Sequence, residues 1–231
     1  MHATSFNSMK YLVHQLHAGR GDEPLRVLDV GSMLAEEAQV RCYRDIFQNL
    51  PQVTYTGLDV APGRNVDIVA LNPYNFPLAS DSFDWVISGQ AFEHIEFPWL
   101  TIREIARVLK PQGIAIIIAP SSGPEHRYPL DCWRYYPDGM RALAKWSDLE
   151  CLHALTRWYE TELFMWGDTI GIFFKPSLKS ENIARPIVKI GDLQRHQYDS
   201  KMQEVYVDSF HFLAKWYRRL WRLAFRVMQQ S

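Results

Sequence analysis

Residues 120–137 hold side chains suited to moving a proton, in a segment too rich in histidine, arginine and aromatic residues for an ordinary connection. His126 is the leading candidate for a general base, because imidazole titrates near neutral pH and takes a proton from a group within hydrogen-bond reach. Asp131 or Glu125 would orient its ring. His94 competes for the same role, and the alternative is that it only packs at the start of a helix.

The same segment carries groups suited to binding an acceptor molecule. Arg127 and Arg134 match the geometry of a carboxylate or phosphate, because a guanidinium group donates two parallel hydrogen bonds. Tyr128 and Trp133 offer aromatic contacts beside them. The alternative is that both arginines pair with acidic residues of the segment and only hold the loop in place.

Two acidic residues stand where predicted strands end. Asp29 precedes Gly31 in VLDVGS, where a glycine permits a tight turn that aims backbone N–H groups at a ligand. Asp59, in YTGLDV, follows a second strand, where a carboxylate can accept both hydroxyls of a ribose. Each residue alone also fits an ordinary strand end. Met33 and Leu34 break the G-x-G-x-x-G pattern, which disfavours a nicotinamide or flavin dinucleotide.

Strand-like and helix-like segments alternate between Leu25 and Lys110, which predicts a parallel sheet covered by helices. Residues 35–50 are long enough for a crossover helix, and residues 99–109 carry apolar side chains at helical spacing. The predicted strands are Leu25–Val30, Val53–Leu58, Val66–Ala70, Phe83–Ser88 and Ile114–Ala119.

A helix at Pro137–Trp146 and an antiparallel edge formed by strands Glu150–Tyr159 and Thr169–Lys175 complete the predicted domain. The fold class is therefore α/β, a Rossmann-like, doubly wound, seven-stranded and mostly parallel sheet with helices on both faces. Core packing is the expectation for Trp85, Trp99 and Trp146. We expect residues 1–175 to form this domain and residues 176–231 an arm that ends in a basic amphipathic helix.

The predicted C-terminal helix is an extra element with an apolar stripe and a basic face. The apolar stripe could pack against three surfaces, and the sequence does not choose among them: its own domain, a second copy of the chain in a homodimer, or an anionic membrane surface contacted peripherally. The residues that suggest the membrane are Trp216, Trp221, Arg218, Arg219, Arg222 and Arg226.

Composition excludes several classes of protein. The 231 residues are 47% hydrophobic with a net charge of -1, which describes a globular chain without the field that nucleic-acid binding needs. The three cysteines form no metal or disulfide pattern and the N-terminus lacks the apolar core of a secretory signal, so we expect a cytoplasmic protein. No metal site is predicted, since His14 and His17 have no acidic third ligand nearby.

Four sequence blocks resemble a known family. They are VLDVGS, YTGLDV, NFPLASDSFDWVISGQAFEHI and REIARVLKPQGIAIIIAPS, between about Leu25 and Lys175. In this order they resemble the class I S-adenosylmethionine-dependent methyltransferases, and among them the type 11 group. The third block, with its turn, its strand FDxV and the histidine that follows, is the most specific.

The resemblance implies S-adenosyl-L-methionine as the cofactor and a position for each part of it. Asp29, Gly31 and Ser32 would face the methionine part, Asp59 the ribose and Val60 the adenine. Asn72 would lie at the adenine edge, where the family commonly has an aspartate, and Ser88 and Gln90 at the methionine end. This sequence also departs from the family at the second and third loop glycines, which are Met33 and Ala35.

The function that follows is transfer of a methyl group to a small-molecule or glycan-like acceptor. Oxygen is the expected acceptor atom, because the candidate bases His126 and His94 could deprotonate a hydroxyl. The altered glycine loop and the missing aspartate motivate an alternative, a non-catalytic partner or scaffold protein with the same fold. Titration with the cofactor separates the enzyme from the scaffold, since a scaffold whose pocket no longer binds the cofactor gives no heat of binding and no shift in unfolding temperature.

Overall fold

The computed structural model describes residues 3–20, 23–34, 41–158, 167–177, 185–188, 190 and 193. Within them, seven strands form one sheet in the order β3-β2-β1-β4-β5-β7-β6. The strands are β1 (Leu25–Val30), β2 (Val53–Asp59), β3 (Ile68–Val69), β4 (Phe83–Gly89), β5 (Leu109–Ser122), β6 (Glu150–Trp158) and β7 (Gly167–Phe174).

The pairing follows the predicted topology. Strands β1 to β5 pair in parallel, while β7 runs antiparallel to both of its neighbours, β5 and β6. The Rossmann-like, mostly parallel sheet with an antiparallel edge is therefore confirmed. Strand order reverses between β1 and β4, and such a switch point opens a crevice at the carboxyl ends of the strands.

Helices cover both faces of the sheet. They are α1 (Ala3–His17), α2 (Arg44–Phe47), α3 (Pro98–Val108) and α4 (Pro137–Trp146), with a short 3₁₀ turn at Phe92–His94. Because successive strand residues point to opposite faces, Val27 and Trp85 pack beneath α1 and α2, whereas Leu28 and Val86 pack beneath α3 and α4. Two apolar cores thus hold the strand ends in fixed positions.

The predicted crossover helix over residues 35–50 is wrong for the part that the structure describes. Residues 35–40 lie outside the described residues, and between 41 and 50 only Arg44–Phe47 is helical. A side-chain bond explains the late start: Asp45 Oδ2 accepts from the backbone N–H of Cys42 at 3.0 Å, which fixes a turn before the helix. Pro51 follows the helix closely, where it disfavours continuation.

Two of the three tryptophans expected in the core lie at the surface. Trp85 is 1% exposed, as predicted, but Trp146 is 54% exposed. Trp146 is the last residue of α4, three residues after the buried Leu143, so it lies at the end of the buried face rather than within it. Trp99 is 36% exposed and packs against neighbouring aromatic rings.

The predictions for the C-terminal arm concern mostly residues outside those described. The chain divides into two compact units, residues 1–196 and 197–231. The basic amphipathic helix lies outside the described residues, so its occupant and the boundary at residue 175 stay predictions. Among the helices that the structure describes, none has the length and apolar character needed to span a bilayer.

Candidate active site

A cavity of about 560 Å³ lies at the carboxyl ends of β1, β2 and β4. This volume falls in the range of small-ligand pockets, roughly 300–1,000 Å³. Two groups of residues line it. We name Asp29, Gly31 and Asp59 the strand-tip group, and Glu93, His94 and His126 the loop group.

Asp29 is a buried carboxyl group in the cavity wall. It is 2% exposed, Tyr55 donates a hydrogen bond to its Oδ2, and its Oδ1 has no hydrogen-bond partner. Burial raises the pKa of Asp29 to about 7; the bond from Tyr55 opposes the shift and the nearby charge of Asp59 adds to it. Asp29 is thus an acceptor whose charge a cationic ligand would stabilise.

Gly31 makes the turn that its position predicts. Its φ is +78°, in the left-handed region, and an added Cβ would overlap the Cβ of Ala91 in the loop after β4. Met33, at the place of the family's second glycine, is accommodated because its side chain lies beside Gly63, where an added Cβ would come within 2.8 Å of its sulfur. The loop therefore stays tight without the second glycine.

Asp59 is held at the tip of β2 by backbone hydrogen bonds. The N–H of Met33 donates to Oδ2 at 2.9 Å, and the N–H of Val60 donates to Oδ1 at 2.7 Å. Each carboxylate oxygen keeps a further lone pair. Asp59 and Val60 both line the cavity, so this carboxylate is fixed in orientation and still able to accept from a ligand.

The remaining predicted cofactor residues divide into two sets. Ser32 and Gln90 line the cavity, and the buried Gln90 Oε1 has no hydrogen-bond partner. Asn72 and Ser88 are not among the lining residues. Asn72 Oδ1 accepts from Tyr74 N–H at 2.9 Å, and the Ser88 hydroxyl donates to the Val30 carbonyl at 2.7 Å. Both side chains thus hold backbone in place, and their contacts with the cofactor stay predictions.

Glu93 and His94 enter the cavity from the 3₁₀ turn after β4. Glu93 is completely buried, and neither of its carboxylate oxygens has a hydrogen-bond partner. His94 Nδ1 lies 2.6 Å from the Leu130 carbonyl, which can only accept, so Nδ1 carries the proton. His94 Nε2 lies 3.6 Å from Glu93 Oε1.

His126 meets this turn from the loop after β5. Its Nε2 lies 3.8 Å from Glu93 Oε1, and its Nδ1 lies 3.7 Å from Asp131 Oδ2. The Glu93 carboxylate is the largest cause of a raised pKa at His126, and Asp131 contributes. Asp131 also accepts from the backbone N–H of His126 at 2.8 Å, so it holds the loop as well as facing the ring.

The predicted acceptor-binding residues lie in the same loop but are engaged differently. Arg127 pairs with Glu125 at 2.6 Å and Arg134 pairs with Asp131 at 2.5 Å, and neither arginine is among the lining residues. The Arg134 guanidinium holds the pKa of Asp131 well below its usual range.

Of the two aromatic residues predicted to contact the acceptor, Tyr128 lines the cavity. Trp133 donates from its ring nitrogen to the Ile95 carbonyl at 3.0 Å. The substrate contacts of Trp133, Arg127 and Arg134 stay predictions.

Sequence reasoning missed three residues that shape the site. Tyr55 and Asn65 connect the strand tips: Asn65 donates to the Ser32 carbonyl at 2.8 Å and to the Tyr55 hydroxyl at 3.3 Å. Glu93 directly precedes His94, and the sequence assigns it no role separate from that of His94. A Tyr or Asn inside a strand or loop gives no signal of its own, whereas an acidic residue directly after a buried strand does.

Comparison with known proteins agrees with this geometry. Residues 41–117 match the family model described as a methyltransferase domain. No curated protein matches the sequence. Solved structures share the fold. The [4+2]-cyclase SpnF is 17% identical with a TM-score of 0.56, and the match covers 74% of this chain and 80% of that one.

Two further solved structures share the fold. The YcgJ protein of Bacillus subtilis is 16% identical with a TM-score of 0.54, over 76% of this chain and 100% of that one. The phosphoethanolamine N-methyltransferase 2 of Haemonchus contortus, in complex with S-adenosyl-L-methionine, is 13% identical with a TM-score of 0.53. The match covers 74% of this chain and 53% of that one. At these identities the likeness concerns the fold alone.

Proposed function

Because this chain is a class I S-adenosylmethionine-dependent methyltransferase, we propose that it methylates an oxygen atom of a small-molecule or glycan-like acceptor. The observation that carries the proposal is the single cavity lined by both the strand-tip group and the loop group. A cofactor bound at the first group and an acceptor bound at the second would share one cavity, as direct transfer requires.

The lining fits the cofactor, whose ammonium and sulfonium groups are cationic. Asp29 Oδ1 and Gln90 Oε1 are buried acceptors without hydrogen-bond partners, and neither lysine nor arginine occurs among the described lining residues. Asp29, Gly31 and Ser32 would hold the methionine part, with Asp59 accepting from the ribose and Val60 beside the adenine. When bound, S-adenosyl-L-methionine supplies an electrophilic methyl group.

His126 is the residue that we propose as general base for the acceptor hydroxyl. It lines the cavity, and Glu93 and Asp131 on either side of its ring stabilise the imidazolium that forms when it takes a proton. His94, whose ring lies perpendicular to that of His126 with centroids 5.0 Å apart, is the alternative base. Such a base contributes roughly 10²–10⁴-fold to the rate.

The charge and shape of the cavity favour a neutral acceptor. Its described lining includes the acidic side chains of Asp29, Asp59 and Glu93 but no arginine or lysine, so an anionic acceptor would meet repulsion. Tyr74 and Tyr128 add aromatic surface with a polar hydroxyl, which suits the mixed apolar and polar face of a sugar ring.

We also propose that the protein works in the cytoplasm and does not bind nucleic acid. All three cysteines are free thiols in the structure, which suits a reducing compartment. The net charge of -1 gives no electrostatic attraction to a polyanion.

The test combines cofactor titration with an acceptor panel. Purified protein is titrated with S-adenosyl-L-methionine by calorimetry and then incubated with neutral sugars, phenols, amines and phosphorylated compounds, with release of S-adenosylhomocysteine as the readout. We expect cofactor binding and turnover confined to hydroxyl acceptors. Cofactor binding with turnover only on amines would overturn the oxygen assignment, and the absence of binding would favour the scaffold alternative.

A further inference from the structure

The loop group contains a carboxylate whose surroundings are unusual for a charged side chain. Glu93 is fully buried, yet both of its oxygens lack hydrogen-bond partners. Burying an ionised carboxylate without partners is costly, so native structures pair such groups or place them on metal ions. Two histidine nitrogens face its Oε1, His94 Nε2 at 3.6 Å and His126 Nε2 at 3.8 Å, both beyond hydrogen-bond distance.

Both histidines turn the same nitrogen toward this carboxylate. Each Nδ1 faces a backbone carbonyl, that of Leu130 at 2.6 Å for His94 and that of Pro124 at 3.3 Å for His126. A carbonyl only accepts, so Nδ1–H is the donor and a neutral ring presents the lone pair of Nε2 to Glu93. Hydrogen bonds of this kind fix the tautomer and orientation of metal-binding histidines.

From this arrangement we propose that Glu93, His94 and His126 form a binding site for a divalent transition-metal ion. One oxygen and two nitrogens lie within 4.8 Å of one another, the one such group among the described residues. Zinc binds these atoms at about 2.0–2.2 Å, so small side-chain movements bring the three within reach of one ion. The sequence predicts no metal site: only His14 and His17 are considered as ligands there, whereas Glu93 and His126 are far apart in the chain.

The donor set indicates which ion the site prefers. Two imidazole nitrogens and one carboxylate oxygen suit zinc, cobalt, manganese or iron better than calcium or magnesium, which prefer oxygen ligands alone. Three protein ligands also leave coordination positions open, as in catalytic rather than structural zinc sites. Since all three residues line the cavity, those positions are accessible to a bound molecule.

The consequence for catalysis rests on the proposed function. With an ion bound, His126 Nε2 is a metal ligand, and the ion activates the acceptor by lowering the pKa of the hydroxyl that contacts it. Without an ion, His126 acts as the base proposed above. The hydroxyl proton leaves to solvent. The new O–C bond forms as the S–C bond of the cofactor breaks, which yields the methyl ether and S-adenosylhomocysteine.

The experiment measures the metal alone on the full-length protein after removal of metal with a chelator. Zn²⁺ is titrated by calorimetry, and Co²⁺ is followed by its visible absorption. We expect one Zn²⁺ per chain at this site, and an affinity at least about tenfold weaker in Glu93→Gln, which keeps the side-chain shape, and in His126→Ala, which lies in a surface loop. The matched control is His153→Ala on β6, outside the cavity, which should bind as the wild type does.

Two results would overturn the metal site: no Zn²⁺ binding by the wild type, or equal affinity in wild type, Glu93→Gln and His126→Ala. A parallel titration with S-adenosyl-L-methionine keeps the two proposals separate. If the cofactor binds and Zn²⁺ does not, the metal inference fails and the proposed function stands. If Zn²⁺ binds at these residues and the cofactor does not, the metal site stands and the proposed function fails.

Discussion

In the strand-tip group, Gly31 and Asp59 are positioned by backbone, whereas the loop group is positioned by side chains from two separate segments. Asp59 receives two backbone N–H groups and Gly31 is fixed by its own φ, so both follow from where their strands end. Glu93 and His126 meet only because the loop after β5 folds back over the 3₁₀ turn, where Cys132 N–H donates to the Glu93 carbonyl at 2.7 Å. The first group is thus a property of the fold, and the second is a property of this particular chain.

This difference is what one expects of a fold that supplies a common cofactor site and leaves the chemistry to its loops. It predicts that substitutions in the strand-tip group reduce cofactor binding, and that substitutions in the loop group reduce turnover while cofactor binding is kept. The four predictions below test that separation in order of expected effect.

The largest effect is expected from His126→Ala in the loop group. Loss of a general base lowers kcat by roughly 10²–10⁴-fold, while the affinity for the cofactor stays within about twofold. Steady-state kinetics and calorimetry measure the two quantities, with His153→Ala as the control. Because Glu93 raises the pKa of His126 above its usual value, wild-type kcat should rise with pH through a midpoint above about 6.5. Unchanged turnover in His126→Ala would remove it as base.

The second largest effect is expected from Gly31→Ala in the strand-tip group, which should lose cofactor binding. Alanine is strained at a φ of +78°, and its Cβ would overlap Ala91, so the β1 turn must move. We expect affinity to fall more than tenfold and thermal stability to drop. Gly19→Ala is the matched control, because its added Cβ has ordinary contacts, the nearest atom lying 3.7 Å away. Equal binding by the two variants would show that the turn does not hold the cofactor.

Asp59→Ala should weaken cofactor binding at least about tenfold, the scale of a lost charged hydrogen bond. Its hydrogen bond from Val60 N–H is exposed and the one from Met33 N–H is only partly buried, so water can replace the lost carboxylate and we expect little change in unfolding temperature. The control is Asp138→Ala at the exposed start of α4, whose side chain is 97% exposed. An affinity equal to that of the wild type would refute the ribose assignment.

The smallest effect concerns the pH dependence set by Asp29. Its folded-state pKa of about 7 lies above the usual value for an aspartate, so the folded protein holds the proton more tightly than the unfolded chain does. The contribution of Asp29 to stability is therefore fully present below its unfolded-state pKa, near 3.8, and is lost as the pH rises toward 7. Between pH 5 and 8 the wild type should lose on the order of 2–3 kcal/mol relative to Asp29→Asn in denaturant unfolding.

The same ionisation should govern binding. An ionised Asp29 attracts the ammonium group of the cofactor, so affinity should increase from pH 6 to pH 8 in the wild type. Asp59 and Arg44 also act on Asp29, the first raising and the second lowering its pKa. If Asp29→Asn shows the same pH dependence of binding, the ionisation belongs to another group.

The parts of the structure that could be predicted from the sequence are those positioned by backbone, and the parts that could not are those positioned by side chains from distant segments. All seven strands were predicted, because short apolar runs bounded by turn residues are local signals; β3 is only two residues long where five were expected. Asp29, Gly31 and Asp59 were found because they stand directly at strand ends. The buried Glu93 and its approach to His126 depend on how the loop after β5 folds back. The sequence left two roles open for Arg127 and Arg134; the structure pairs both with acidic residues of the loop, and ligand binding stays a prediction.

The central claim is that one cavity brings the cofactor and the loop group together. A crystal structure of the full chain with S-adenosylhomocysteine tests it most directly. We expect density for the ribose at Asp59, for the amino group at Asp29, and for the sulfur atom on the side that faces Glu93 and His126. Density elsewhere, or a sulfur atom turned away from the loop group, would contradict the account.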